Sequence, residues 1–214
     1  EWLFGEGAGF DVLYNAIELD RFPFNAEVRA EARADLGLVG DELAVGHVGR
    51  FMAQKNHTFL LDAFAEVAAR RPDAVLLLVG AGELRPSVER RASELGIKGR
   101  IRFLGQRDDV ERLYQAFDAF ALPSLYEGLC LVGVEAQRAG LPCLLSDAIT
   151  REVDVTGTVR FLPIDDPSAW ADALCALRAG ERVPASPERF SDYDIHAAAG
   201  RLAERYLDLV AGSL

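Results

Sequence analysis

Two glutamates stand eight residues apart in "SLYEGLCLVGVEAQRAGLPCLLS" (124–146): Glu127 precedes an apolar, helix-like run, and Glu135 lies inside it. A carboxylate among apolar neighbours such as Val132, Val134 and Ala136 is costly unless something satisfies it. Sugar hydroxyls do so, and an acidic residue can take both hydroxyls of a ribose. Glu135 therefore reads as a ribose acceptor, and Glu127 as an acceptor for the hydroxyls of a second sugar. Far upstream, "VGRFMAQKNH" (48–57) sets Arg50 and Lys55 on a strand-to-helix connection. Two cations beside a helix N-terminus suit a diphosphate. The four side chains together describe a pocket for a nucleotide-sugar. Each also has a plainer reading: surface charges at Arg50 and Lys55, a turn acid at Glu127, a solvated helix position at Glu135.

The elements that must position these residues alternate in type. Apolar runs of strand length cover 43–49, 74–80, 101–105, 119–124, 142–146 and 159–163. Helix-like stretches lie at 25–38, 56–72, 83–96, 108–117, 129–139 and 166–180. In 56–72, Phe59, Leu60, Ala63, Phe64, Val67 and Ala68 share one face at helical spacing. The punctuation agrees: Asn25 and Asn56 are placed to cap, Pro86 sits in an opening turn, and Gly37 and Gly96 mark stops. A short strand over 11–18 is expected to lead in, and a helix over 193–211 to close the chain. Apolar strands alternating with amphipathic helices predict an α/β, doubly wound, Rossmann-like parallel sheet of about six strands. Ligands of such sheets lie beyond the carboxyl ends of the strands. The loops after residues 49, 80, 105 and 124 are therefore where chemistry belongs. They carry Gly49, Arg50 and Lys55; the "VGAGEL" glycines Gly80 and Gly82, which allow a sharp turn and close ligand approach; Gln106; and Glu127 with Gly128. The amides of Gly128, Leu129 and Cys130 open the helix after Glu127 and would face the volume reached by Arg50 and Lys55.

Composition narrows the classes of function. The 214 residues suffice for one sizeable domain, and 27% charged residues are ordinary for a globular chain. The net charge of -11 disfavours nucleic acid as a partner, because neutralising phosphates needs a surplus of Lys and Arg. No apolar run is long enough for a membrane span. Cys130, Cys143 and Cys175 sit in apolar surroundings and read as free thiols of a reducing cytoplasm. "DYD" (192–194) has the form of a metal-binding D-x-D but precedes a helix, where Ser191 or Asp192 reads as a cap. "GEGAG" (5–9) mimics a dinucleotide loop without a strand before it. His47, His57 and His196 show no metal-ligand spacing, and His47 reads as a packed strand histidine. No metal and no cofactor is expected.

The combination of "VGR(x4)KN" with "PSLYEGLCLVGVEAQRAGLPCLLSD" resembles the C-terminal half of a GT-B fold, family-4-type glycosyltransferase. The pattern there is E-G-F-G-L-V-x-x-E-A-x-A-x-G-x-P-V. "DVLYNAIELDRF" resembles the family's V-I-P-N-G-I-D entry, with Ala16 for Gly, and "FLPIDDPSAWADAL" the region before its last helices. The resemblance covers nearly the whole chain and is nearest to enzymes of capsular and exopolysaccharide synthesis. It implies that Arg50 and Lys55 hold the diphosphate of a UDP- or GDP-sugar, that Glu127 contacts the donor sugar and that Glu135 takes the ribose. The backbone near Gln106 would border the base, and Gly49, Gly80 and Gly82 would lie against the donor. Leu129 and Cys130 depart from the family's Phe and second Gly, and a side chain at Cys130 is expected to narrow the approach to the helix tip.

The resemblance further implies retention at the anomeric carbon without a metal. It makes residues 1–214 a single nucleotide-sugar-binding domain of a longer enzyme, whose N-terminal domain meets a glycan or lipid-linked acceptor. That enzyme would be cytoplasmic, or peripheral at the inner face of the plasma membrane. The last helix would ordinarily cross to the N-terminal domain; here it either packs on its own domain or lies partly exposed. Rival readings are a nucleotide-sugar-binding module without turnover, an epimerase of UDP-N-acetylhexosamine on the same fold, and a dinucleotide-dependent oxidoreductase, whose G-x-G-x-x-G is missing.

Overall fold

The structure, a computed structural model, describes residues 14–211. Six strands form one sheet: β1 (Leu43–Val48), β2 (Ala74–Val79), β3 (Ile101–Gly105), β4 (Ala119–Leu122), β5 (Cys143–Ser146) and β6 (Arg160–Leu162). Between and around them lie α1 (Ala26–Asp35), α2 (His57–Arg70), α3 (Arg85–Glu94), α4 (Val110–Ala116), α5 (Leu131–Arg138), α6 (Pro167–Cys175) and α7 (Ile195–Ala211). The strand order is β3-β2-β1-β4-β5-β6, and every pairing is parallel. This is the expected doubly wound sheet.

Successive side chains of a strand face opposite ways, and the core divides accordingly. Ala44, Val75, Leu77, Phe120 and Leu122 pack on one face with Tyr114 and Val134. Leu43, Val45, Leu76, Leu78, Ala119 and Ala121 pack on the other with Phe64, Leu61 and Trp170. The chain winds outward from β1 through β2 to β3, then returns to the other side of β1 with β4. The crevice at this reversal, beyond the carboxyl ends of β1 and β4, is where such sheets hold ligands.

Caps agree in part with the sequence. The Asn25 side chain accepts from the amides of Glu27 and Val28 and starts α1. Asn56 precedes α2 but makes no side-chain cap: its backbone is left-handed, at φ 52°, so it acts as a corner. The helix expected over 129–139 begins later, at Leu131. At α7 neither Ser191 nor Asp192 is the cap; Asp194 accepts from the amide of His196. α7 is exposed along most of its length, with Ala198 buried.

The strand expected over 11–18 is not a sheet member. Residues 11–13 lie outside the described residues. Residues 14–18 make a single bridge, Ile17 to Asp194, and a 3-10 turn follows at Leu19–Arg21. The apolar pattern there has another cause: Ile17, Leu19 and Phe22 are buried against the side of the domain, in the cluster that holds Phe190 and Tyr193.

Candidate functional site

The site grows from the loop after β1. Gly49 donates to the carbonyl of Val79, Phe51 donates to that of Ala81, and Leu84 donates to that of Phe51. These bonds stitch the β1–α2 loop to the β2–α3 loop at contact distance. A Cβ on Gly80, whose φ is +135°, would stand 2.0 Å from the Gly49 carbonyl oxygen, and one on Gly82 would stand 2.4 Å from that of Phe51. The two glycines are thus demanded by the approach of one loop to another, a reason the sequence does not reveal. The stitched loops form a cleft of about 580 Å³ lined by Gly49, Arg50, Gly80, Gly82, Gln106 and Arg107, among others. Five of the residues singled out from the sequence therefore share one wall. Arg107 is engaged by Asp109 at 2.7 Å. Arg50 is exposed and in no ion pair among the described residues.

Beneath the loop lie two buried histidines. His47 Nδ1 meets the carbonyl of Ala121 at 2.9 Å, and its Nε2 has no partner among the described residues. The His47 ring meets His57 edge-on at 4.7 Å, and His57 stacks on Phe51 at 4.3 Å. Burial depresses both; His57 falls to about 4, with the Lys55 charge adding to the effect. Both are neutral near pH 7 and serve as packed floor. Gly49 completes the packing: a Cβ there would touch His47 Nε2 at 3.1 Å and the Lys55 stem at 3.2 Å.

From this floor a 3-10 turn, Ala53–Lys55, reaches toward β4. Lys55 Nζ donates to Glu127 Oε1 at 2.7 Å, with the two side chains 14% and 10% exposed. Gln54, which the sequence reading missed, binds three consecutive residues of the facing loop. Its carbonyl accepts from the amide of Leu125 at 2.8 Å. Its side-chain Nε2 donates to the Tyr126 carbonyl at 2.9 Å and to Glu127 Oε2 at 3.3 Å. The one available signal was its place beside Lys55.

The tip of α5 stays open. Among the described residues, the amides of Gly128, Leu129 and Cys130 donate to no protein acceptor, and Gly128 is exposed with no atom within 4 Å of a hypothetical Cβ. Cys130 does not narrow the approach as expected. Its side chain is buried in the core, and burial pushes its thiol up to about 12, so it is a neutral packing group.

Glu135 stands apart from the cleft. It faces α4, where the Tyr114 hydroxyl donates to its Oε2 at 2.8 Å. Burial raises its carboxyl above the ordinary range, opposed by the Tyr114 bond and the Arg21 charge. Val110, which lines the cleft, lies one helical turn before Tyr114 on α4. Glu135 itself is not among the residues that line the cleft. The structure joins the loop residues in one wall and Lys55 to Glu127 beside it, and holds Glu135 on a separate partner.

The family model for "Glycosyl transferases group 1" matches residues 42–179. The putative glycosyltransferase EpsF of Bacillus subtilis (strain 168) is 40% identical over 173 residues, which are 80% of this chain and 45% of that protein. The chain spans about half the length of the curated relatives it matches. Among solved structures, Anabaena Alr3699/HepE in complex with UDP and glucose superimposes with a TM-score of 0.77 at 22% identity, over 92% of this chain and 56% of that one. The C-terminal domain of a group 1 family protein (LpcC) from Francisella tularensis does so with 0.63 at 16%, over 89% of this chain and 98% of that domain. At these identities the structures show the fold.

Proposed function

The chain belongs to the group 1 glycosyl transferases, and we propose that it is the donor-binding half of such an enzyme, taking a UDP- or GDP-sugar for retaining transfer. The observation that carries this is the Lys55–Glu127 pair, which joins the β1–α2 loop to the β4–α5 loop at the strand reversal, beside the cleft that Arg50 lines at the ends of β1, β2 and β3. A diphosphate there meets Arg50, Lys55 and the free amides at the tip of α5. As the glycosyl bond breaks, the leaving nucleoside diphosphate gathers negative charge. Fixed cations and oriented amides stabilise that charge more than the ground state, and they do so without a divalent ion. Glu127 accepts from donor-sugar hydroxyls. Glu135 accepts from the ribose, and its Tyr114 bond keeps the carboxylate oriented. UDP in the Anabaena relative supports a uridine nucleotide as the first ligand to try. The acceptor, a glycan or lipid-linked sugar of a cell-surface polysaccharide, meets residues of an N-terminal half.

Titration calorimetry with UDP and GDP tests the reading. The expected Kd is about 0.1–1 mM, or about 4–5.5 kcal/mol, weaker in Arg50→Ala and unchanged by a chelator. Equal affinity in wild type and Arg50→Ala removes the phosphate assignment, and a requirement for added divalent metal removes the metal-free mechanism. Recovery of sugar transfer when an N-terminal half is supplied separates an enzyme from a binding module.

A further inference from the structure

Gln54 makes three bonds to Leu125, Tyr126 and Glu127, in order. Among the described residues, no other residue of the site ties two of the strand-end loops at consecutive positions. Its main-chain carbonyl fixes the start of the β4–α5 loop. Its side-chain amide uses one group to fix the Tyr126 backbone and the Glu127 carboxylate together. The two Glu127 oxygens are divided between a charged and a neutral donor: Lys55 on Oε1, Gln54 on Oε2.

The division matters when an anion arrives. A phosphate competes with Glu127 for Lys55, because both are acceptors for the same ammonium group. Gln54 is neutral and half-buried, so a phosphate does not draw it away as it draws the charged Lys55. It is then the donor left on Glu127 among the described residues. The carboxylate keeps one oxygen anchored and turns the other, released by Lys55, toward the incoming sugar. Tyr126, 63% exposed beside it, is held by the same amide.

We infer that Gln54 is a positioning residue for the donor sugar: it aims Glu127 once Lys55 has turned to the diphosphate. The inference rests on the donor-binding reading above and adds to it the means by which the sugar, as distinct from the nucleotide, is recognised.

The test measures UDP and UDP-glucose binding to the chain by calorimetry, and takes the ratio of the two affinities as the readout. Gln54→Met keeps the length of the side chain and removes both donors; Gln54→Glu repels Glu127 and is an independent route to the same loss. Both are expected to lower the UDP-glucose to UDP ratio about five- to tenfold, the scale of one hydrogen bond, and in Gln54→Met UDP itself stays within about threefold of wild type. Retained UDP binding shows that each variant is folded. In a Glu127→Gln background the ratio is expected not to fall further on adding Gln54→Met, since both changes remove one interaction. An unchanged ratio in both variants overturns the inference alone, as does a parallel loss of both ligands, which marks a general loop role. Failure of the wild type to bind either ligand at millimolar concentration overturns the donor-binding reading and this inference with it.

Discussion

Opposite substitutions of the Lys55–Glu127 pair should move nucleoside diphosphate binding in opposite directions. The two side chains meet at 2.7 Å and are 14% and 10% exposed, so the pair is poorly screened. Free in the site, Lys55 would give a phosphate a charge-assisted hydrogen bond of about 1.5–3 kcal/mol. It is not free: binding must first take it from Glu127. The net gain is the difference between two similar bonds, about 1 kcal/mol, or roughly fivefold in Kd. Glu127→Gln removes the competing charge and should tighten UDP about fivefold. Lys55→Met leaves the Glu127 carboxylate facing the phosphate with no cation between them. UDP should weaken by about 1–2 kcal/mol, roughly 5- to 30-fold. The double variant should return to within about threefold of wild type. Stability gives a second reading of the same pair. Breaking a largely buried pair costs about 3–5 kcal/mol, and here about 2–3, because Gln54 still holds one oxygen. For a chain of this size that lowers Tm by about 5–10 °C in Lys55→Met, with most of it restored in the double variant. Calorimetry with UDP and thermal unfolding of the four proteins make the cycle. Weaker UDP binding in Glu127→Gln, or wild-type affinity in Lys55→Met, would refute the reasoning, because either sign means that Lys55 is not shared between carboxylate and phosphate.

Three further outcomes follow from the geometry. Glu135→Gln should weaken UDP about tenfold but 2',3'-dideoxy-UDP no more than about twofold; equal losses, measured by calorimetry, detach Glu135 from the ribose. Gly80→Ala puts a Cβ 2.0 Å from the Gly49 carbonyl at φ +135°; it should cost about 3 kcal/mol and lower Tm by about 6–12 °C in a thermal melt. His57, held near 4 by burial, takes up its proton more readily unfolded, at its ordinary 6.5, than folded. The unfolded chain therefore binds more protons between about pH 6.5 and 4, and stability falls as pH drops through that window. Urea unfolding at several pH values should show a loss of about 2–4 kcal/mol from this group, with a shallower slope in His57→Leu.

The sheet was legible because its inner strands β2 and β4 are buried along their whole length and read as unbroken apolar runs, "AVLLLV" (74–79) being too short for a helix of ordinary length. The exception was residues 14–18, where Ile17, with Leu19 and Phe22 just beyond it, plugs the domain's flank and only tertiary contacts decide between plug and strand. In the site, the charged residues were legible as types, since Arg50, Lys55 and Glu127 fall on strand-end loops and Glu135 stands in an apolar helix run. Their pairing was not. That Lys55 lies on Glu127 and that Glu135 lies on Tyr114 are facts of separations of 72 and 21 residues in sequence, which no local pattern encodes. Gln54 was silent for the same reason, its three partners lying on another loop. Gly80 and Gly82 were found, but for a different reason, since what approaches them closely is the neighbouring loop.

Cys130 shows how a departure from the family-like pattern can leave a site intact. A side chain at this position could point toward the ligand or into the core, and space decides. Inside the first turn of α5, Gly133 leaves that space: a Cβ there would come within 3.0 Å of Val153 and 3.3 Å of Cys130 Sγ. Any larger residue at 133 would therefore compete with the thiol for the same volume. With Gly133 in place, Sγ turns inward beside Val134 and Leu145, and the amides at 128–130 remain open. The backbone amides and the helix tip, not a small residue at 130 in itself, are what an anion meets at this end of α5. The substitution at 130 is thus absorbed three residues later, at a position where the pattern prescribes nothing, and the amides at the tip of α5 stay open.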